Sequence, residues 1–517
     1  MASPTDVSDR PASRPWLRWL AYGVVIVAAV LRFYNLSSES LWLDELWALE
    51  AADGHGSEHE SLPVDRLIVA PADLTHVAAA RSVWRVWTGL DQITHPPASY
   101  LLLRGWVDLF GTSEAALRSL SAACGTLAVV MLFVAVRPWA GAEPALWAAG
   151  LMAVAGPQVH AGRDARPYAL LTLLAAATLW LVGRTVRRGP TRTRTLGLGL
   201  LLFASLLTHY FAVATVAAVA AYGLWFTRAA VRRSLVGAAL AAGGLFGLVW
   251  GPFMWRQRPA FSPTDRGVVF LHEVSPGHVA ATLWRLVTLP ASMLADARPI
   301  PAAYAALGAL GYLVVVTACV KRRWPAVWPL WFAGVVGLVA TLDLARSTAH
   351  LAYLRYTLAA SPVVYVGLAL LPTVQRALGR LAAAAAVAFA AWSLPATYAA
   401  HNEDFRALAD AVRASVVSGQ PIVFAGPSRT FAPQILYLAT SHYAWPLAGP
   451  VMLLEAPAAP AVMAQLRDRP TVWMVADPQV RLARQWLPGY HLAAGQSWPV
   501  VGSLLQMERD PTSAPTP

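Results

Sequence analysis

The chain has 517 residues, of which 57% are hydrophobic and only 13% are charged. A soluble domain carries roughly 25% charged residues, so this composition excludes an ordinary soluble protein and indicates a polytopic membrane protein. The formal net charge of +12 comes from basic residues in short loops between apolar runs, as the positive-inside rule requires, and it does not predict a nucleic-acid partner.

The first apolar run, about 17–36, follows a basic N-terminus and predicts an uncleaved transmembrane helix. A long acidic loop, 37–95, then lies on the outer side of the membrane. The next apolar run, 97–110, is too short to span and is interrupted by Arg104 and Asp108. It therefore predicts a helix along the outer surface, because a span at this point would turn every later basic loop outward.

The remaining apolar runs alternate with basic inner loops as far as a second outer loop, 254–300, and then continue toward residue 396. The total is about 11 transmembrane helices. The expected spans lie near 17–36, 115–136, 143–160, 167–186, 195–208, 211–227, 234–253, 301–320, 325–343, 353–371 and 378–396. Cys124 and Cys319 fall inside these runs, so no disulfide framework is expected.

From Asn402 onward the composition changes and short apolar runs alternate with amphipathic segments. Strands are predicted at 419–426 and 470–478, and helices at 406–416 and 459–468. The sequence therefore predicts two domains, a transmembrane domain over 1–401 and a small α/β domain over 402–517 outside the membrane. The last residues of the second domain form a disordered tail.

The unusual polar side chains share one membrane depth, at the outer ends of the predicted spans. Asp44 and Glu45, in the segment LWLDELW, follow the first span. Carboxylates are costly to desolvate there, and a carboxylate can accept a proton from an acceptor hydroxyl. The other candidates are His95, Arg163, Arg166, Tyr168, His209, Tyr210, His350, Arg355 and Tyr356.

This set of residues has the chemistry to bind a lipid-linked phosphate. Arginine presents a planar fork that suits phosphate oxygens, and fixed cations stabilise a phosphate as it leaves. Each residue alone has a simpler interpretation: a solvated helix end for Asp44, a helix-starting turn for His95, and interfacial anchors for Arg166 and Arg355. Their joint placement on one side favours the functional interpretation.

A metal site is less strongly indicated. His272, Glu273 and His278 on the second outer loop are more simply interpreted as an exposed polar loop. The sequence assigns no metal ligands and no cofactor, and it does not decide whether the protein uses a divalent metal.

Six segments occur in a characteristic order along the chain: LWLDELW (41–47), THPPASYLLLRGWVDLFGTSEAALRSLSA (94–122), GRDARPYALL (162–171), THYFAV (208–213), LRYTLAASP (354–362) and EDFRALADAV (403–412). Their order resembles the GT-C glycosyltransferase superfamily, in particular bacterial relatives of the protein O-mannosyltransferases and aminoarabinose transferases. The resemblance implies the GT-C fold and Asp44 as the catalytic acidic position, with Glu45 beside it. It also matches His95, Arg166, Tyr168 and Arg355 to positions on the donor side.

We therefore expect an inverting membrane glycosyltransferase that uses a polyprenyl-phosphate sugar, with mannose as one candidate sugar. The expected partners are this donor, membrane lipids, and an acceptor that is a protein, a lipid or a glycan. The active site and the C-terminal domain are placed on the extracytoplasmic side of the cell membrane. The alternatives are a transporter or flippase of a lipid-linked saccharide, for which neither paired halves nor broken mid-membrane helices are visible, and a membrane scaffold.

Overall fold

The computed structural model describes residues 15–261, 275–295, 306–313, 325–399, 402–427, 432–480, 483–498 and 500–510. Parts of the predicted second outer loop, 254–300, and of the predicted span at 301–320 lie outside the described residues. His272, Glu273 and Cys319 are among the residues that are not described.

The described chain is mostly helical, and residues 306–313 are also helical. In chain order the helices are α1 (Pro15–Phe33), α2 (Leu43–Ala52), α3 (Val83–Thr88), α4 (Ala98–Phe110), α5 (Glu114–Ala140), α6 (Ala142–Val154), α7 (Gly156–Ala161), α8 (Tyr168–Arg188), α9 (Arg192–Thr208), α10 (Val213–Phe226), α11 (Ala229–Val249), α12 (Gly251–Arg256), α13 (Pro276–Ser292), α14 (Val327–Arg346), α15 (Ser361–Val374), α16 (Arg376–Thr397), α17 (Phe405–Ser415), α18 (Pro433–Ala444), α19 (Pro460–Met463) and α20 (Ala483–Trp486). Short 3-10 turns lie at Glu58–Ser61, Val77–Ala79, Tyr210–Ala212, Arg258–Phe261, His350–Ala352, Leu354–Tyr356, Leu358–Ala360 and Ala464–Leu466.

The chain divides into two compact units. Unit 1 comprises Met1–Leu36, Thr94–Ser99 and Arg118–Ala399. Unit 2 comprises Ser37–Ile93, Tyr100–Leu117 and Ala400–Pro517. The long loop after the first helix therefore folds together with the C-terminal residues.

Unit 1 contains the long apolar helices of a multi-pass membrane protein. Among the described residues, six helices are long and apolar enough to cross a membrane, namely α1, α5, α8, α11, α14 and α16. The predicted spans at 195–208 and 211–227 correspond to the shorter helices α9 and α10. The predicted span at 143–160 is divided between α6 and α7, and the one at 353–371 begins in 3-10 turns and becomes helical only at α15. The total of about 11 spans stays a prediction.

A fully buried arginine joins the first helix to the interior of unit 1. The guanidinium of Arg32 donates to the backbone carbonyls of Ala153 at 3.1 Å and Met152 at 3.0 Å. Both carbonyls lie in the last turn of α6, where helix carbonyls have no partner within the helix. Gly125 and Gly162 make room for this side chain, because a Cβ at either position would lie within 3.0 Å of it. The contact satisfies a helix end in an apolar interior, where water is excluded.

Unit 2 contains a six-stranded sheet with the order β1-β3-β2-β4-β6-β5. The central strands β2, β3 and β4 are parallel, and the outer pairings of β1 with β3, β4 with β6 and β5 with β6 are antiparallel. The strands are β1 (Leu67–Ile68), β2 (Ile422–Ala425), β3 (Val451–Leu454), β4 (Thr471–Ala476), β5 (Tyr490–Trp498) and β6 (Gly502–Arg509).

The first loop contributes the edge strand of this sheet. Leu67 pairs with Met452 and Ile68 with Val451. The helix predicted at 97–110 is present as α4, and its position on the membrane surface stays a prediction. The predicted C-terminal strands and the first predicted helix are confirmed as β2, β4 and α17, whereas the helix at 459–468 is divided between α19 and a 3-10 turn.

A carboxyl group without hydrogen bonds is buried in unit 2, directly after α2. Asp53 is fully buried, and neither of its carboxylate oxygens has a hydrogen-bond partner among the described residues. Burial raises the pKa of Asp53 to about 7, and the charges of Asp108 and Asp73 add to this, while that of Arg104 opposes it. The fold therefore favours the protonated form of this group.

We predict that Asp53 makes the stability of the protein depend on pH. Because its pKa is raised on folding, its contribution is greatest below about pH 4 and is lost as the pH rises through about 7. The difference amounts to a few kcal/mol, since one pKa unit corresponds to about 1.4 kcal/mol. Asp53→Asn should raise the thermal unfolding temperature at pH 8 relative to wild type and leave it nearly unchanged at pH 4, measured in detergent.

The control is Asp65→Asn, which alters an exposed aspartate of the same unit. Its unfolding temperature should follow that of the wild type at both pH values. An Asp53→Asn protein that is less stable than wild type at pH 8 would contradict the assignment.

Candidate functional site

Unit 1 brings together aromatic, histidine and arginine side chains from four separate segments, which we call the histidine–arginine cluster. The His209 ring lies 5.0 Å from that of His95, 5.8 Å from Tyr168 and 6.3 Å from Tyr356, centroid to centroid. The members of the cluster are His95, Arg166, Tyr168, His209, Phe211, His350, Arg355 and Tyr356. All except Phe211 were candidates from the sequence.

His209 lies at a break between two apolar helices. The backbone of His209 is extended, with φ of −159° and ψ of 137°, so α9 ends at Thr208. Its Nδ1 atom accepts a hydrogen bond from the backbone N–H of Phe211 at 3.1 Å, which starts the next turn. The break therefore holds the imidazole in a defined orientation at the end of α9.

Arg166 and Tyr168 enter the cluster at a second break, between α7 and α8. Pro167 precedes the first residue of α8 and disfavours a helical conformation for Arg166. The backbone of Arg166 is held in place by its N–H, which donates to the carbonyl of Asp164 at 2.7 Å. Tyr168, as the first residue of α8, is buried.

His350, Arg355 and Tyr356 lie on the 3-10 turns between α14 and α15. The Arg355 guanidinium lies over the Tyr356 ring at 5.4 Å, and the His350 ring is 4.9 Å from the same tyrosine ring. The buried carboxylate of Asp343 holds the start of this segment. It accepts from the backbone N–H groups of His350 at 2.7 Å and Leu351 at 2.8 Å.

A hydrogen-bond chain fixes the backbone beside His95. The side chain of Gln257 is fully buried, and its Nε2 atom donates to the carbonyl of His95 at 3.2 Å. Its Oε1 atom accepts a hydrogen bond from the hydroxyl of Tyr210. The indole N–H of Trp250 donates to that hydroxyl at 2.9 Å. Tyr210, a cavity candidate from the sequence, thus supports the cluster through its hydroxyl.

Asp343 and Gln257 are supporting residues that sequence reasoning missed. Asp343 lies inside an apolar run, and an acidic residue in a predicted span is a signal that could have drawn attention to it. Gln257 follows a tryptophan- and arginine-rich segment and carries no comparable signal.

The electrostatics of the cluster favour the neutral forms of His95 and His209 beside charged arginines. Burial lowers the pKa of His209 to about 3, and the nearby charges of Arg166, His350 and Arg355 add to this effect. The pKa of His95 also lies well below its ordinary value, through burial and then through His209 and the two arginines. Two guanidinium charges face neutral imidazoles, so an anion would be electrostatically favoured there.

Arg163 makes its described contacts at the end of α1. Its guanidinium donates to the carbonyls of Tyr34 and Asn35 and lies over the Tyr398 ring at 4.5 Å. The hydroxyl of Tyr398 donates in turn to the carbonyl of Leu31. These contacts are those of a residue that fixes the helix end, whereas its predicted donor-binding role stays a prediction.

Asp44 and Glu45 lie in unit 2, in the first turn of α2, and their surroundings differ. Glu45 is buried, and its Oε2 atom accepts from the backbone N–H of Trp42 at 3.3 Å. This contact satisfies a backbone donor at the start of the helix, as in a capping box. Asp44 is half-buried. The pKa of Glu403, the first residue of the matching segment 403–412, is raised by burial and further by the charge of Asp44.

Among the described residues, no group of three or more His, Cys, Asp and Glu side chains could hold a metal ion. His278 donates from Nε2 to the backbone carbonyl of Asp343 at 2.9 Å. The other two residues considered for a metal, His272 and Glu273, lie outside the described residues.

We predict that Gln257→Leu loosens the segment that carries His95. The substitution keeps the size of the side chain but removes the donor to the His95 carbonyl and the acceptor of the Tyr210 hydroxyl proton. The loss of these two buried hydrogen bonds should cost about 1–3 kcal/mol for each. Thermal unfolding in detergent should shift downward by several degrees. Gln375→Leu, at an exposed position of unit 1, is the control and should leave the unfolding temperature unchanged. Equal effects of the two substitutions would contradict a supporting role for Gln257.

Sequence comparison gives one family match. Residues 94–255 match the family model described as dolichyl-phosphate-mannose-protein mannosyltransferase. No curated protein matches the chain. The matched range includes His95, Arg166 and His209 and ends at Trp255.

Solved structures match almost the whole chain. ArnT from Cupriavidus metallidurans in the apo state has a TM-score of 0.59 at 12% identity, covering 95% of this chain and 97% of that chain. ArnT from Cupriavidus metallidurans bound to undecaprenyl phosphate has a TM-score of 0.57 at 14% identity, and the match covers 98% of this chain and 100% of that chain. The oligosaccharyltransferase AglB from Archaeoglobus fulgidus, in complex with an inhibitory peptide and a dolichol-phosphate, has a TM-score of 0.52 at 13% identity. That match covers 97% of this chain and 75% of that chain. The chain therefore shares the fold of these solved structures, and the GT-C fold expected from the sequence is confirmed.

Proposed function

We propose that the chain transfers a sugar from a polyprenyl-phosphate donor to an acceptor on the outer face of the membrane, with inversion at the anomeric carbon. The observation that carries this proposal is the histidine–arginine cluster, in which two arginines and neutral histidines meet on a GT-C fold. ArnT, which has the same fold, has been solved with undecaprenyl phosphate bound. That relative supports a lipid phosphate as the anion for this cluster.

Arg166 and Arg355 are proposed to hold the donor phosphate. When the glycosidic bond breaks, the phosphate oxygen gains negative charge, and fixed guanidinium groups stabilise it more in the transition state than in the ground state. The Tyr356 ring, 5.4 Å from the Arg355 guanidinium, restricts the motion of that side chain. Two cations that are already in place need little rearrangement during the reaction.

Asp44 is proposed as the base. It accepts the proton of the acceptor hydroxyl or amine while that nucleophile attacks the anomeric carbon from the face opposite the phosphate. One new bond forms at the anomeric carbon, the bond to the phosphate oxygen breaks, and the lipid phosphate leaves with the bonding pair. A single displacement of this kind inverts the configuration. Glu45 is assigned a structural role, because its carboxylate already binds the backbone of Trp42.

We predict that Asp44→Asn lowers sugar transfer ~10²-fold or more, because an amide cannot act as the base. Glu45→Gln should be milder, since glutamine also serves at this position of a capping box. The measurement is mass spectrometry of cell-envelope glycans in cells that carry wild type, either variant, or no protein, combined with a transfer assay at saturating donor. A sugar that disappears both without the protein and with Asp44→Asn would identify the product.

Membrane insertion and unfolding temperature of both variants serve as the control for folding. Near-normal transfer by Asp44→Asn would reject Asp44 as the base. A larger loss for Glu45→Gln than for Asp44→Asn would assign the role to Glu45 instead.

We also predict that the 37–95 loop and the residues after about Asn402 lie on the same, extracytoplasmic side, and that the basic loop near residue 190 lies on the cytoplasmic side. On a background without Cys124 and Cys319, Ser418→Cys in unit 2 should react with an impermeant maleimide added to intact cells. Thr193→Cys should react only after the membrane is opened. Both positions are exposed. Reaction of the two cysteines from the same face would overturn this topology and the span count on which it rests.

A further inference from the structure

The polar atom that the proposed function leaves unused in the histidine–arginine cluster is Nε2 of His209. His209 is about 5% exposed, and its Nε2 atom is buried without a partner among the described residues. An unsatisfied polar group in a protein interior is costly, so such groups are uncommon and often belong to functional sites.

The hydrogen bond at Nδ1, the other ring nitrogen of His209, shows which of the two nitrogens carries the proton. Nδ1 accepts a hydrogen bond from the backbone N–H of Phe211 at 3.1 Å, so it must be unprotonated. In a neutral imidazole the proton is then on Nε2, and the low pKa of His209 keeps the ring neutral over the physiological range. Nε2–H is therefore a fixed hydrogen-bond donor that adds no charge to the cluster.

The surroundings of this donor indicate what it would bind. The guanidinium groups of Arg166 and Arg355 lie near enough to lower the pKa of the ring, so His209 lies in the positive potential where an anion would bind. The rings of Tyr168 and Tyr356 lie 5.8 and 6.3 Å from the His209 ring, centroid to centroid.

We propose that the Nε2–H group of His209 donates a hydrogen bond to a non-bridging phosphate oxygen of the lipid donor. This inference rests on the proposed function, in which Arg166 and Arg355 hold the same phosphate. The two arginines supply charge, and His209 supplies a neutral donor with a fixed direction. A neutral donor allows the phosphate to be oriented without a third positive charge that the two arginines would repel.

The first test uses undecaprenyl phosphate as the probe, with binding to the purified full-length protein measured in detergent. His209→Phe keeps an aromatic ring but removes the donor, and His209→Gln keeps a side-chain N–H of similar reach. We expect His209→Phe to weaken binding at least tenfold and His209→Gln to restore part of the loss. His160→Phe, at an exposed position of α7, is the matched control and should bind like wild type.

Inorganic phosphate is measured in parallel to separate the headgroup from the lipid. If His209→Phe weakens both ligands by the same factor, the hydrogen bond is to the phosphate. If it weakens only the lipid, the ring contacts the polyprenyl chain and the proposal is wrong. Equal losses for His209→Phe and His209→Gln, with equal falls in unfolding temperature, would show that the ring only packs.

The second test is nitrogen NMR of histidine-labelled protein, with His209→Gln to assign the signal. We expect a neutral ring protonated at Nε2 between pH 5 and 8, and a shift of that resonance when undecaprenyl phosphate is added. A His209 resonance that does not respond, in a protein that binds the lipid and loses binding with Arg355→Ala, would overturn the role of His209 and leave the proposed function intact. Failure of the wild-type protein to bind the lipid at all would reject both.

Discussion

The geometry of the histidine–arginine cluster depends on one buried carboxylate, that of Asp343. Its two oxygens accept hydrogen bonds from the backbone N–H groups of His350 and Leu351, and one of them also accepts from the hydroxyl of Thr348. These donors lie directly after α14, where the chain leaves its helix and enters three consecutive 3-10 turns. Without the carboxylate, the N–H groups would be unsatisfied in an apolar setting, so the loop that carries Arg355 would lose its defined path.

The same constraint explains why the polar residues of unit 1 lie at helix breaks. A membrane interior offers no water to an unpaired backbone group, so each place where a helix stops must supply its own partner. Arg32 donates hydrogen bonds to the carbonyls at the end of α6, and Gln257 donates to the carbonyl of His95. At these breaks, side chains from separate segments of the chain also come into contact with one another. The features that satisfy the helix ends therefore create the cluster.

The cluster combines two kinds of donor that respond differently to their surroundings. Arginine keeps its charge in almost any environment, whereas a buried histidine beside arginines loses its charge. Arg166 and Arg355 therefore remain cations, while His95 and His209 stay neutral and retain only directional hydrogen bonding. Such a set would suit the lipid phosphate that we propose as its ligand, because the attraction is permanent and the orientation does not depend on protonation near neutral pH.

The sequence by itself determined the membrane character, the GT-C resemblance and nearly all members of the cluster, because apolar run length, basic loops and motif order are local properties. It also located β2 and β4, whose residues are apolar except for Thr471 at the start of β4. Only the tertiary structure decided that the loop after α1 joins the C-terminal residues, since the two-residue strand β1 is too short to give a sequence pattern and is defined by its pairing with β3. Only the tertiary structure also showed the contacts of Arg163 at the end of α1 and the supporting role of Gln257, because these join residues that are distant in sequence. The different surroundings of Asp44 and Glu45, and the contacts of Asp343 with the turn that follows its helix, depend on the exact direction of the backbone, which no residue pattern encodes.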